Sequence, residues 1–189
     1  KTTGGLGLKV INSDSAFERY LKKEGLSLKM PDTETTGRDA ERDRAKKVTE
    51  KKKYLAVRGR LGIIIDGTGH KYDKVANDSA MLEQLGYETT MVFVNTSLEV
   101  ALHRNENRAR SVKPTLVKKS WQDVQNNMGK FQNYFGAANF FIVDNNGFEE
   151  DMLEISTKHI RKAISKPVKN IIAAAWIANE MKKKKERRT

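Results

Sequence analysis

The run Leu61-Gly-Ile-Ile-Ile-Asp-Gly-Thr-Gly-His70 constrains the fold of this chain more than any other feature. Branched apolar residues that stop at a carboxylate and two glycines are typical of a buried parallel strand, which ends where α/β proteins bind ligands. A helical pattern over residues 73–85 and a second strand pattern over residues 88–95 follow. The segment therefore predicts a strand–helix–strand unit with Asp66 at the ligand edge, and the alternative for Asp66 is a plain Asp-Gly turn.

The same alternation continues along the chain. Strand patterns cover residues 6–12, 61–66, 88–95 and 140–143, and helical patterns cover residues 15–23, 38–60, 73–85, 98–110, 116–134, 149–164 and 167–185. Residues 24–37 lack periodicity and are interpreted as a loop that borders the substrate. Strands that alternate with helices predict an α/β fold, a three-layer sandwich with a mostly parallel sheet.

The 189 residues are enough for one domain, predicted over residues 1–166, followed by a C-terminal helix with a basic tail over residues 167–189. The apolar run 171–177 is expected to dock on the sheet, and the alternative is an interface with a protein partner. Gly86 is predicted just past the end of a helix. Five aromatic residues are expected in the core: Trp121, Phe131, Tyr134, Phe135 and Trp176.

Composition limits the classes of function. Lys and Arg number 36 against 24 Asp and Glu, a net charge of +12, which favours phosphate, nucleic acid or anionic lipid as partners. The chain has no cysteine, which excludes disulfides and thiolate sites and is typical of a cytoplasmic protein. No apolar run approaches the ~20 residues of a membrane span. The three histidines lack the spacing of a metal site.

Two acids follow neighbouring predicted strands, Asp14 after Val10-Ile-Asn-Ser and Asp66 after Ile65. Adjacent parallel strands would bring both acids to the same edge of the sheet. One acid could take a proton from a hydroxyl nucleophile while the other holds a metal ion or a polar group of the substrate. The alternative for Asp14 is an N-cap, since either Ser13 or Asp14 could cap the following helix.

A cluster of basic residues begins on the helix predicted over residues 98–110. Arg104 and Arg108 are four residues apart and would share one helix face, and Arg110 and Lys113 extend the charge to the break before Pro114. Several guanidinium groups can clamp phosphate oxygens and neutralise the charge of phosphoryl transfer. The alternative is an ordinary solvated surface.

Residues 61–94, with Ile-Ile-Asp-Gly-Thr-Gly at residues 64–69 and Ala80-Met-Leu-Glu-Gln-Leu-Gly-Tyr-Glu-Thr89, resemble zeta-toxin-type P-loop kinases. That family is related to polynucleotide kinase and to kinases of small metabolites. The resemblance implies a P-loop NTPase-like fold, the cofactors ATP and Mg²⁺, and an ATP-dependent kinase activity. The phosphoryl acceptor would be a hydroxyl group of a small-molecule or nucleotide-like compound.

The resemblance also implies roles for individual residues. Asp14 matches the general base that deprotonates the acceptor, and Asp66, where zeta toxins usually have Glu, would lie near the acceptor or the metal. Thr68 would lie beside Asp66. The arginines that match those contacting the ATP phosphates are Arg104 and either Arg108 or Arg110.

The sequence departs from the family in one respect. A P-loop kinase needs a glycine-rich loop that ends in Gly-Lys-Ser/Thr, and no such loop occurs in these 189 residues. The expectation is that this loop precedes Lys1. Two alternative functions stay open: a nucleic-acid-binding protein that uses residues 38–60 and the basic tail, and a catalytically inactive assembly protein on the same fold.

Overall fold

The computed structural model describes residues 7–147 and 149–187. Over these residues four strands alternate with helices, in the order β1 Lys9–Ile11, α1 Asp14–Lys23, a 3-10 helix Asp32–Glu34, α2 Thr35–Arg58, β2 Ile63–Ile65, α3 Tyr72–Gln84, β3 Met91–Asn95, α4 Leu98–Asn107, α5 Pro114–Phe135, β4 Phe140–Asp144, α6 Glu149–Ile164 and α7 Ile171–Glu186. Both strand pairs, β1–β2 and β3–β4, are parallel. The predicted α/β fold is confirmed.

Some helix and strand boundaries differ from the predicted ones, and side-chain capping explains the largest difference. The last helix begins at Ile171 and not at Pro167, because the Asn170 side chain accepts hydrogen bonds from the backbone N–H groups of Ile172 and Ala173. The first strand begins at Lys9, and the predicted residue Leu6 lies outside the described residues. Side-chain caps of this kind are difficult to identify from periodicity alone.

The chain divides into two compact units. The first comprises Lys1–Thr68 and Thr96–Gln122, and the second comprises Gly69–Asn95 and Asp123–Thr189. In the first unit β1 pairs with β2 in a register that sets Ile11 opposite Ile65. In the second unit β3 pairs with β4, and Asn95 lies opposite Asp144.

The core of the first unit forms between α1 and α2. Phe17 and Leu21 on α1 and Ala45 on α2 are almost completely buried, and Leu26 and Met30 from the following loop pack against them. These contacts bury the apolar side of α1, whose first residue follows β1 after two intervening positions. The helix that begins at the carboxyl end of β1 is therefore held in place by its own packing.

The core of the second unit is aromatic. Phe93, Phe131 and Phe140 are buried, and the ring of Phe131 lies 5.4 Å from that of Tyr72 and 6.5 Å from that of Phe93. Such tilted ring pairs are stabilising beyond the area that they bury. The core positions predicted for Phe131 and Phe135 are confirmed, whereas that predicted for Tyr134 is wrong because its ring is exposed.

Helix α7 is held by its N-terminus and not by its apolar run. The carboxylate of Glu88 accepts hydrogen bonds from the backbone N–H groups of Lys169 and Asn170, and the Asn170 side chain donates to the carbonyl of Glu83. No described residue of α7 is buried, and Trp176 is 41% exposed. The predicted docking of residues 171–177 and the predicted core position of Trp176 are therefore wrong. No helix among residues 7–147 and 149–187 has both the length and the apolar character to cross a membrane.

Candidate functional site

The ends of β1 and β2 meet at one edge of the first unit. The parallel register continues past the strands, where the backbone N–H of Asp66 donates to the carbonyl of Ile11 at 3.0 Å. The Asn12 amide donates to the Asp66 carboxylate at 2.5 Å. Asp66 is thus fixed at the carboxyl edge of the strand pair, as predicted. The predicted burial of the strand before it is wrong, because no residue of β2 is buried and Ile65 is 41% exposed.

Asn12 also connects this edge to Asp14. The carbonyl oxygen of the Asn12 side chain accepts a hydrogen bond from the backbone N–H of Asp14 at 2.5 Å. One side chain therefore contacts both the Asp66 carboxylate and the first turn of α1. Sequence reasoning missed Asn12. Its position between a strand end and a helix start, with a side chain that can donate and accept, was the available signal.

Neither Ser13 nor Asp14 caps α1 with its side chain, so the alternative interpretation of Asp14 as an N-cap is wrong. Ser13 occupies the N-cap position of α1 but makes no side-chain capping bond, and Asp14 is the first helical residue. The Asp14 carboxylate instead bonds Arg110, with 2.6 Å between Oδ2 and Nη2. Capping and ion pairing compete for the same carboxylate oxygens, and here the charged partner is bound.

Arg110 bridges two acids of α1. Its Nε donates to the Glu18 carboxylate at 2.8 Å while its Nη2 donates to Asp14. The Arg110 side chain is only 10% exposed, whereas Asp14 is 48% and Glu18 39% exposed. Glu18 was missed by the sequence analysis, although its position four residues after Asp14 places both acids on one helix face. The result is a compact cluster of one cation and two anions.

The segment that carries Arg108 and Arg110 is shaped by a buried amide. The Asn105 side chain donates to the carbonyl of Val112 at 2.8 Å and accepts from the N–H of Val112 at 3.0 Å and from Arg108 at 3.1 Å. Helix α4 consequently ends at Asn107, and Arg108 has an extended backbone. The predicted helix to residue 110, with Arg104 and Arg108 on one face, is wrong for this reason.

Burial and neighbouring charge act on Arg108. Partial desolvation lowers the pKa of the guanidinium, and the positive charge of Arg110 lowers it further, while Asp14 and Glu18 raise it. An arginine stays charged in proteins, and Arg108 is an exposed residue, so this cation is accessible to an anion.

Two bonds connect the loop over residues 24–37 with the segment that follows α4. Lys29 Nζ donates to the carbonyl of Arg108 at 3.2 Å, and Lys113 Nζ bonds the Asp32 carboxylate at 2.7 Å. The hydrogen bond and charge of Lys113 lower the pKa of Asp32. The loop that was predicted to border a substrate therefore lies beside the arginine segment.

The two remaining predicted residues, Arg104 and Thr68, lie between Asp66 and Arg110 in the sequence. Arg104 is half-buried in the last turn of α4, and its carbonyl accepts from the N–H of Arg108 at 3.2 Å. Thr68 is exposed, two residues beyond Asp66. Hydrogen bonds thus bring together Asp14, Asp66 and Arg110 through Asn12 and α1.

The carboxylates of this site are of the ligand type that Mg²⁺ prefers. No group of three or more His, Cys, Asp or Glu suited to a metal ion occurs in the described part of the chain. Mg²⁺ that is bound with a nucleotide requires only one or two carboxylates, because phosphates and waters complete its octahedron. A single exposed carboxylate, Asp66, oriented by the Asn12 amide, fits that requirement.

Comparison with known proteins places this site in a family. No curated protein matches the chain. A protein family described as "AAA domain" matches residues 3–130, which is more than half of the chain and includes every residue of the site described above. The chain therefore belongs to this AAA domain family, which is P-loop NTPase-like and kinase-like.

Proposed function

We propose that this protein transfers a phosphoryl group from ATP to a hydroxyl group of a small-molecule or nucleotide-like acceptor. The observation that carries the proposal is the position of Asp14, at the carboxyl end of β1, with one carboxylate oxygen held by Arg110. The membership in a kinase-like family supports it. The resemblance of residues 61–94 to zeta-toxin-type kinases supports the choice of a hydroxyl acceptor.

Asp14 acts as the general base. Arg110 bonds Oδ2 of the carboxylate, which leaves Oδ1 of this half-exposed side chain to accept the proton of the acceptor hydroxyl. The deprotonated oxygen then forms its bond with the γ-phosphorus as the bond to the ADP oxygen breaks. Arg110 sets the direction of the carboxylate, because two donors of one planar group fix both acids of α1.

Asp66 lies at the same edge of the strand pair and is proposed to bind a ligand there. Its carboxylate accepts from Asn12, and its remaining lone pairs are suited to a polar group of the acceptor or to the Mg²⁺ that accompanies ATP. Thr68 adds a hydroxyl two residues further along the chain. When bound, Mg²⁺ supplies positive charge to the phosphate oxygens, and Asp66 would contribute one ligand.

The arginines contact the phosphates. Arg104, Arg108 and Arg110 belong to the end of α4 and the segment after it, and Asn105 holds that segment in a defined shape. A cluster of guanidinium groups neutralises the negative charge that spreads over the equatorial oxygens during transfer. Arg110 then serves both the carboxylate and the phosphate, and Arg108, which is incompletely solvated, serves the phosphate.

The test is acceptor-dependent consumption of ATP. Asp14→Asn keeps the size of the side chain and removes the base, and we expect kcat to fall at least 100-fold with the KM for ATP nearly unchanged. Asp151→Asn on α6 is the matched control, since Asp151 is an exposed acid that lies in the second unit. The control should retain full activity.

Two results would contradict the proposal. If Asp14→Asn turns over at the rate of the unsubstituted protein, Asp14 is not the base. If the protein binds ATP and yet no acceptor class, from nucleosides to sugars and polyols, stimulates ATP consumption, the protein is not a kinase of this type and an assembly role on the same fold takes precedence.

A further inference from the structure

The positive charge of α2 is concentrated in its C-terminal half. Residues 35–43 contain two arginines and three acids, whereas residues 44–58 contain seven Lys and Arg and a single acid, Glu50. Acids of the N-terminal part pair with nearby cations, as in the pairs Arg38–Asp39 and Arg44–Glu41. The excess charge is therefore local and does not represent the helix as a whole.

One face of the C-terminal half of α2 is buried, and the opposite face is exposed. Ala45, Lys53 and Ala56 are the buried residues of α2. Four residues spaced by four, three and four positions lie together on the other side of the helix, and all are exposed. We refer to these residues as the basic stripe: Lys47, Lys51, Tyr54 and Arg58.

The cations of the basic stripe are available for a partner. Among residues 7–147 and 149–187, no salt bridge or side-chain hydrogen bond involves Lys47, Lys51 or Arg58. The ring of Tyr54 is 61% exposed and lies between Lys51 and Arg58 on the same face. The eleven steps from Lys47 to Arg58 rise by about 16 Å along the helix axis.

We propose that the basic stripe binds single-stranded nucleic acid. Lys47, Lys51 and Arg58 contact successive phosphates, and the exposed ring of Tyr54 stacks on a base, which is the combination of a cationic track and an aromatic platform that single strands require. This surface is separate from the residues assigned to phosphoryl transfer and does not depend on that assignment.

The chemistry of the stripe favours nucleic acid over a lipid surface. A helix that binds in a membrane interface buries a continuous apolar face beside its cations. The buried side of α2 packs against its own unit, where Ala45 contacts the core formed with α1. The exposed side carries the three cations and the ring of the stripe. The exposed apolar residues Val48 and Leu55 are seven positions apart, with Lys51 and Lys52 between them, and so form no continuous apolar face. A duplex would also leave Tyr54 without an unstacked base.

Binding is measured by fluorescence anisotropy of a labelled oligonucleotide of about ten nucleotides. We expect a dissociation constant in the range of about 1–100 μM near physiological salt. Three phosphate contacts predict a slope of about −2 for the logarithm of the association constant against the logarithm of salt concentration. A slope near zero would overturn the proposal.

Variants of the stripe locate the site. Lys47→Gln, Lys51→Gln and Arg58→Gln together should weaken binding at least tenfold and remove most of the salt dependence, and Tyr54→Ala alone should weaken it about tenfold. The matched control is Lys182→Gln, Lys184→Gln and Lys185→Gln on α7, which removes the same charge and should leave binding nearly unchanged. Circular dichroism establishes that each variant is folded.

Three outcomes overturn the proposal. Equal weakening in the α7 control would mean that net charge alone attracts the oligonucleotide. Duplex DNA bound as tightly as the single strand, with no effect of Tyr54→Ala, would exclude stacking. Vesicles of phosphatidylserine and phosphatidylcholine that bind through the stripe, while the oligonucleotide does not, would assign the surface to a membrane.

Discussion

Arg110 binds two acids that its position in a basic segment of the sequence does not indicate. The run of basic residues from Arg104 to Lys113 predicts a phosphate clamp, and the structure shows Arg110 bound to Asp14 and Glu18. An almost buried guanidinium needs neutralising partners, because an unpaired buried charge is costly. The acids of α1 supply them, and the acid proposed as the base is thereby oriented.

Replacement of Arg110 tests this arrangement. Arg110→Gln should leave Asp14 and Glu18 as uncompensated like charges on one helix face and destabilise the protein by about 1–2 kcal/mol, a value discounted for the solvent exposure of both acids. Urea denaturation measures the loss. Adding Glu18→Gln to Arg110→Gln should recover part of it. A double variant that is less stable than the single one would show that repulsion between the acids is not the cause.

At the scale of elements, helix ends are set by local chemistry that is partly visible in the sequence. Gly86 follows α3 with φ = 99°, a left-handed conformation that favours glycine, and its N–H donates to the carbonyl of Glu83 at 3.0 Å. Its predicted place after the helix is confirmed. The ends of α4 and α7 depend on the amides of Asn105 and Asn170, which are less distinctive signals.

Two glycine substitutions test whether the backbone conformation at the glycine decides the effect on stability. Gly86→Ala should destabilise the protein by about 1–2 kcal/mol, because an L side chain is strained at this φ. Gly129→Ala, inside α5, should stabilise it by about 0.5–1 kcal/mol, since its added methyl group meets open space and alanine favours helix. Both are measured as shifts in the urea midpoint. Shifts of the same sign would contradict the conformational explanation.

At the scale of the whole molecule, net charge opposes compactness. The chain carries +12 at pH 7, and ion pairs such as Lys46–Asp43 and Lys183–Glu180 join exposed side chains, each of which contributes about 0–1 kcal/mol. The repulsion among unpaired cations acts over the entire surface and is screened by salt. We therefore expect repulsion, and not the ion pairs, to dominate the response to ionic strength.

Sodium chloride should consequently stabilise the protein. Raising the salt at pH 7 should raise Tm by about 2–4 °C, which corresponds to about 1 kcal/mol for a chain of this size. Calorimetry at low and at high salt provides the measurement. A fall of Tm with salt at pH 7 would mean that the surface ion pairs outweigh the repulsion.

The sequence by itself determined the α/β class, the order of the elements and the presence of acids after two neighbouring strands, because periodicity and strand-end chemistry are local properties. Only the tertiary structure decided that Asn12 contacts Asp66 and that Arg110 pairs with Asp14 and Glu18, which lie 96 and 92 residues away along the chain. It also decided that the apolar run of α7 stays exposed. Partner choice among charged and apolar groups depends on which surfaces meet, and residues distant in sequence determine that.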